Sequence, residues 1–241
     1  MILTAHQLSY LPWLGYFHKI ALADNFVILD SVQFEKNSFT NRNKIKTSNG
    51  ETWLTIPVEM KGHMEKTILD MQMDSKSNWK KKHWNSLVMN YKKTEYFNRY
   101  SSFFENYYQN QTNNLSEFIL RSTLFFFEEL KINPKTFRLS ELKVESKKQD
   151  LIIDLCKVTN SNAFVFGALG KDYVDENLFR SSNIATYFQE YKHPVYPQLW
   201  GDFVPYMGIV DALFNLGPER TKEIIFKENI TKKELETILK K

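Results

Sequence analysis

His6, Gln7, Tyr10 and Trp13 stand together in one short stretch, HQLSYLPW, directly after the apolar run of residues 1–5. An imidazole can donate or accept a proton near neutral pH, and the flat faces of Tyr10 and Trp13 suit stacking on a sugar or base ring. A second polar cluster opens at Asp30 and Gln33 and continues through Asn41, Arg42, Asn43, Lys44 and Lys46. Its carboxylate is a second candidate proton acceptor. The arginine between two amides offers forked donors for a carboxylate, a phosphate or sugar hydroxyls.

Two further clusters share this character. The segment GALGKDY, residues 167–173, follows the apolar run AFVF, so its backbone can approach an anion with Lys171 as counter-charge and Asp172 and Tyr173 beside it. His193 stands with Tyr196 and Gln198 in HPVYPQ. His83 adds another candidate contact within WKKKHW, although that segment also suits an ordinary solvated helix face carrying aromatic anchors. The candidate catalytic groups are thus His6 and Asp30. The candidate binding groups are Gln7, Tyr10, Trp13, Gln33, Asn41, Arg42, Asn43, Lys46, His83, Lys171, Asp172, Tyr173 and His193.

These groups need a scaffold, and the patterning supplies one. Residues 1–5 read as a buried strand, and Pro12 precedes Leu14, Phe17, Ile20, Ala21 and Ala23, whose spacing of three and four predicts a helix with proline near its first turn. Residues 25–29 form a second apolar run of strand length. A strand, helix and strand in so short a length predict a parallel pair with a right-handed crossover. His6 and Asp30 then follow their strands on the same edge of the sheet, where open α/β sheets hold ligands.

Beyond Asp30, Asn49-Gly50 between extended runs predicts a hairpin over residues 43–58, and alternation predicts one more strand over 67–73. Helical spacing then takes over from 78 to 130, giving three helices as an insertion or subdomain. The α/β rhythm resumes with an extended 136–142, a helix over 149–158 and a buried strand over 163–166. A helix over 206–216 is closed by Gly217-Pro218, and residues 231–241 form an exposed amphipathic helix. The expectation is one α/β domain over 1–241, with a parallel or mixed Rossmann-like sheet, a β-hairpin and a helical insertion at about 78–131.

The bulk numbers narrow the partners. The 241 residues carry 32 basic and 28 acidic side chains, a net charge of +4 without a basic stripe. That favours a small anionic molecule over nucleic acid. The aromatic share of 15% asks for a thick core or an aromatic-lined groove. Cys156 is the single cysteine, so no internal disulfide forms, and its apolar helical setting reads as inert core. No pair among His6, His63, His83 and His193 has metal-ligand spacing, and no metal is expected. The phosphate-loop, dinucleotide and nucleophile-elbow patterns are all absent. No apolar run approaches the roughly 20 residues that span a bilayer, so a soluble, cytoplasmic protein is expected.

His6-Gln7-Leu8-Ser9-Tyr10-Leu11-Pro12-Trp13-Leu14-Gly15-Tyr16-Phe17-His18-Lys19-Ile20 resembles the opening motif of the WbqC-like family, with Leu8 where that family has proline. LDSVQFEKNSFTNRNKIKT, WLTIPV, WKKKHW, GKDYVDENLF, HPVYPQ and DALFNLG extend the resemblance over nearly the whole chain. The resemblance implies a part in bacterial O-antigen or related surface-glycan biosynthesis, with transfer of glycine or another acyl group to an amino sugar. The order of strand, histidine loop, helix, strand and VQF is also similar to the start of pantothenate synthetase, an ATP-dependent amide-forming ligase of the nucleotidylyltransferase superfamily. Ser9 stands where that superfamily has its second histidine.

The leading expectation is a transferase that joins an amino acid or other acyl group to the amine of a nucleotide-linked amino sugar. In that scheme His6 or Asp30 takes the proton from the sugar ammonium, because only a free amine attacks a carbonyl. Arg42, Lys46 and Lys171 hold phosphates or a carboxylate, and Tyr10 and Trp13 stack a ring. Two alternatives stay open: a non-catalytic protein that binds a sugar nucleotide or glycan, and an ATP-dependent acid-amine ligase. The co-reactant is accordingly an activated acyl donor or ATP, and the choice between monomer and homo-oligomer is open.

Overall fold

The computed structural model describes residues 1–240. Its first strand, β1 (Ile2–His6), leads through the HQLSYLPW loop into helix α1 (Leu14–Ala21) and strand β2 (Asn25–Ile28). β1 and β2 pair in parallel with His6 opposite Ile28, as the short strand–helix–strand spacing requires. The hairpin follows as β3 (Arg42–Thr47) and β4 (Gly50–Thr55), paired antiparallel as a separate two-stranded sheet.

Residues 67–73 do not form the expected strand. They make only isolated bridges, Gln33 with Thr67, Gln72 with Asn114 and Val58 with Met73. The Asp70 carboxylate accepts from the Thr67 amide at 3.1 Å and from its hydroxyl at 2.6 Å. This local turn satisfies the polar groups that a strand ladder would have used.

Three helices then follow in the region read as helical: α2 (Trp79–Tyr91), α3 (Phe97–Gln109) and α4 (Leu115–Leu130). Their aromatic faces, with Phe104, Tyr107, Phe118 and Phe126 fully buried, pack into one core with Phe17 of α1 and Phe26 of β2. Burial of this size is the main stabilising contribution, at roughly 25 cal/mol per Å² of apolar surface.

The chain returns to the sheet as β5 (Lys135–Arg138), short of the expected extended run because Leu139–Glu141 tightens into a single 3₁₀ turn. Helix α5 (Lys148–Val158), strand β6 (Ala163–Phe166), helix α6 (Glu176–Ser181) and strand β7 (Ala185–Phe188) complete the α/β part. Asp175 caps α6, accepting from the Asn177 amide at 3.0 Å, a local signal the sequence reading passed over.

Helix α7 (Ile209–Phe226) is two helical segments meeting at Gly217, whose φ of 73° only glycine takes easily. A Cβ there would also lie 2.5 Å from the Tyr96 ring. The Gly217-Pro218 stop is therefore real, but the proline at once begins a new helical segment. The last helix, α8 (Lys232–Ile238), starts at a Thr231–Glu234 capping box and buries Leu235 against Ile2 and Leu22, so it is anchored rather than merely exposed. Lys241, included in the expected terminal helix, lies outside the described residues.

The five-stranded sheet has the order β5-β2-β1-β6-β7, with every pairing parallel. Alternation along the strands covers both faces. Phe26 and Ile28 join the core shared with α1 and α7, while Val27, Phe164 and Phe166 join a second core with Ile153, Leu155 and Phe179 of α5 and α6. The chain runs from β1 outward through β2 to β5, then crosses to β6 on the other side of β1. The strand order thus reverses between β1 and β6, which leaves a crevice at their carboxyl ends.

Candidate functional site

That crevice holds a cavity of about 510 Å³, and His6, Gln7, Trp13 and Tyr173 all line it. His6 is the last residue of β1. Its Nδ1–H donates to the Gln7 carbonyl at 2.9 Å, which fixes the neutral tautomer with Nε2 as the lone-pair nitrogen. No hydrogen bond to Nε2 is present among the described residues. Burial, aided by the nearby positive Lys19, lowers the imidazole pKa to about 3. The ring is therefore neutral at physiological pH, and Tyr16 packs edge-on at 5.0 Å to hold its plane.

Trp13, Tyr191 and Tyr206 form an aromatic wall, with ring centroids 5.3 and 5.6 Å from the Trp13 ring. The indole lies over Gly15, where a Cβ would fall 2.2 Å from the ring. His193 does not line the cavity. It stacks behind Trp13, nearly parallel at 6.3 Å, and both of its nitrogens are engaged: Nδ1–H donates to the Pro194 carbonyl and Nε2 accepts from the Tyr206 amide. Its place is to support the aromatic wall.

Three contributors escaped the sequence reading. Lys19, on α1, is only 6% exposed and lines the cavity, and its Nζ donates to the Ala5 carbonyl at 3.1 Å. Burial lowers its pKa to about 7. Gln189, just past β7, donates through Nε2 to the Gly15 carbonyl and to His18 Nδ1, while its Oε1 has no partner among the described residues. Tyr191 belongs to the next turn of chain. Lys19 stands one residue before the apolar position Ile20, and nothing in the helical spacing marks it. Gln189 and Tyr191 flank the HPVYPQ loop that drew attention to His193 instead.

The remaining expected site residues are placed elsewhere. Asp30 is fully buried and accepts from Arg138 Nε at 2.8 Å, from the Ser140 amide at 2.9 Å and from the Ser140 hydroxyl at 2.7 Å. It clamps the end of β5 and does not line the cavity, because a buried carboxylate must collect such donors. Tyr10 is buried in a hydrogen-bonded trio with His83 Nδ1 at 3.0 Å and Tyr108. Its loop turns inward at Leu11, which carries a φ of 45°. Burial takes His83 down to about 4, so it is a neutral core histidine.

The hairpin groups also have protein partners, although Asn41 Oδ1 and Arg42 Nε are buried without one. Arg42 lies over the Trp53 ring at 4.5 Å and donates to the Asn37 carbonyl. Asn41 and Asn43 donate to the carbonyls of Ile56 and Leu11, both at 2.8 Å, and Gln33 donates to Met64 at the surface. Lys46 is buried, donating to Gln198 Oε1 and the Asp202 carbonyl. Gln198 passes the contact to Asp211, which also accepts from Tyr91 and Tyr196 at 2.9 Å each. This network ties the hairpin to α7. Lys171 pairs with Glu190, and neither it nor Asp172 lines the cavity. The expected meeting of His6 with Arg42 does not occur, since the hairpin docks on the helical side of the molecule.

Cys156 is buried, and burial pushes its thiol up to about 12, consistent with inert core. Ser9, at the position of the second histidine in the nucleotidylyltransferase pattern, is buried and donates to the Phe39 carbonyl at 3.0 Å. Among the described residues no group of three or more His, Cys, Asp or Glu side chains is gathered to hold a metal, and no helix is long and apolar enough to cross a membrane.

Fold and cavity together define an α/β protein with a crevice at the switch point of a parallel sheet. The chain belongs to the WbqC-like protein family, whose pattern matches residues 7–223. It is 34% identical over 215 residues to an uncharacterized protein of Mycobacterium tuberculosis, Rv1507c, covering 88% of this chain and 93% of that one. No solved structure matches the chain.

Proposed function

We propose that the protein forms an amide by transferring an acyl or aminoacyl group to the amine of a nucleotide-linked amino sugar in surface-glycan biosynthesis. One observation carries this reading: an imidazole held neutral, in a defined tautomer, with its lone-pair nitrogen unengaged beside a cavity at the sheet's switch point. An incoming amine has N–H donors to offer, and His6 Nε2 and Gln189 Oε1 are two acceptors without protein partners among the described residues. The sugar or base ring lies against Trp13, Tyr191 and Tyr206.

In the reaction the amine nitrogen attacks the acyl carbonyl, a C–N bond forms and the bond to the leaving group breaks. His6 Nε2 takes the proton released from nitrogen and returns it to the leaving group. Asp30, Arg42, Lys46 and Lys171 have no part in this scheme, because each is committed to a protein partner. Lys19 is the cation left to face the reacting carbonyl.

A binding role without catalysis is the second reading. It is favoured by the backbone carbonyl, rather than a carboxylate, behind His6 Nδ1. One experiment separates the two. The protein is incubated with a panel of nucleotide amino sugars and acyl donors, with and without ATP, and the product mass is read. The expected result is an acylated amino sugar whose formation falls at least 100-fold in His6→Gln, the range that loss of a general base produces. Failure of every amine-bearing sugar under both conditions refutes the transferase reading, and ligand binding that persists in His6→Gln then supports the other.

A further inference from the structure

The cavity beside His6 continues into a second compartment of about 460 Å³ that shares Ala5, Lys19, Leu29, Gly167 and Tyr173 with it. The second compartment is mainly apolar, walled by Leu151 and Ile152 of α5 and by Phe164 and Phe166 of β6, with Lys148 and Gln149 also lining it. At the junction stands Lys19. It is nine-tenths buried, makes one hydrogen bond, to the Ala5 carbonyl, and has no carboxylate partner among the described residues. A buried cation without a counter-ion is costly unless something supplies the missing charge. Lys46, the one other lysine or arginine buried to this degree among the described residues, has two acceptors.

We propose that this two-compartment crevice binds an amphiphilic carboxylic acid or its acyl group, with the carboxylate or carbonyl oxygen on Lys19 Nζ and a hydrocarbon body in the apolar compartment. The inference deepens the transferase reading and rests on it only in naming the ligand as the acyl partner: the acyl group is apolar and several carbons long, not glycine-sized. An acyl carbon held at Lys19 sits between the apolar compartment and the His6 compartment, so the amine and the carbonyl approach from opposite sides. Leu29, Phe164 and Phe166 present an apolar surface that takes methylenes out of water.

The test is a calorimetric titration of the full chain with sodium octanoate, sodium acetate and 1-octanol, with no amine present. Octanoate is expected to bind at least tenfold more tightly than either acetate, which has the charge alone, or 1-octanol, which has the body alone. Lys19→Met is expected to weaken octanoate at least tenfold and to leave 1-octanol within twofold. Ile152→Trp, which fills the apolar compartment, is expected to weaken both. Octanoate binding no tighter than acetate on the unaltered protein overturns the proposal without recourse to any variant. Unchanged octanoate affinity in a folded Lys19→Met also overturns it. Because the titration contains no amine, octanoate binding with no amide product in the sugar panel refutes the transferase reading alone. Product formation without octanoate binding refutes only this inference.

Discussion

Replacing Lys19 by methionine should stabilise the protein at neutral pH, although the residue lies in the candidate site. The side chain is buried on α1, and burial lowers its pKa from 10.5 to about 7. The unfolded chain therefore binds a proton more readily than the folded one between pH 7 and 10.5. Stability rises with pH through that window, and the charge imposes its full cost below it. At 1.36 kcal/mol per pKa unit, the cost is about 5 kcal/mol at pH 6.5 and about 1–2 kcal/mol at pH 9.5. Methionine removes this cost and forfeits the bond to the Ala5 carbonyl, worth about 1 kcal/mol. Urea unfolding of both proteins at the two pH values gives the comparison. The variant should be more stable at pH 6.5 by up to about 4 kcal/mol, and its advantage should shrink by about 3 kcal/mol at pH 9.5. An advantage that does not change with pH, or a variant less stable at pH 6.5, would show that Lys19 is not a buried, uncompensated charge.

The other residues give shorter tests. Asp30→Ala leaves Arg138 and the Ser140 amide without their buried acceptor and should cost about 3–5 kcal/mol in urea unfolding. A loss below 1 kcal/mol accompanied by abolished product would return Asp30 to the chemistry. Gly15→Ala puts a methyl into the Trp13 ring, so the indole must leave its place. Affinity for a nucleotide amino sugar should fall about tenfold, the size of one lost ring stack, and an unchanged dissociation constant would remove Trp13 from the site. His6 stays neutral in the fold until about pH 3 while the unfolded chain protonates it near 6.5, so the fold loses about 1.4 kcal/mol per pH unit on acidification across that range. The slope of unfolding free energy between pH 6 and 4 should flatten in His6→Gln; equal slopes would mean that the imidazole is solvated.

Where a decision was local, the residues announced it. The apolar runs that became β1, β2 and β6 carry strand-length burial on both faces, and Asn49-Gly50 fixes the hairpin turn. The spacing of aromatics from Trp79 onward could only be satisfied by helices that share one face. His6, Gln7 and Trp13 were legible as residues lining the crevice for the same reason, since a loop after a parallel strand points to the sheet's carboxyl edge whatever packs around it.

What sequence could not decide was where each polar group finds its partner. Asp30 follows its strand as His6 does, yet Arg138 and Ser140, more than a hundred residues later, occupy its oxygens. Tyr10, in the same loop as Trp13, turns inward to His83 and Tyr108, while Lys46 meets Gln198. The reverse holds for Lys19, which nothing in the sequence marks and which is buried where it reaches from α1 to the Ala5 carbonyl of β1. Spacing along a chain reports local geometry, whereas the commitment of a charge depends on which distant donors and acceptors the packed core delivers to it. Tertiary structure therefore took Asp30, Arg42 and Lys46 out of the crevice and put Lys19 and Gln189 in.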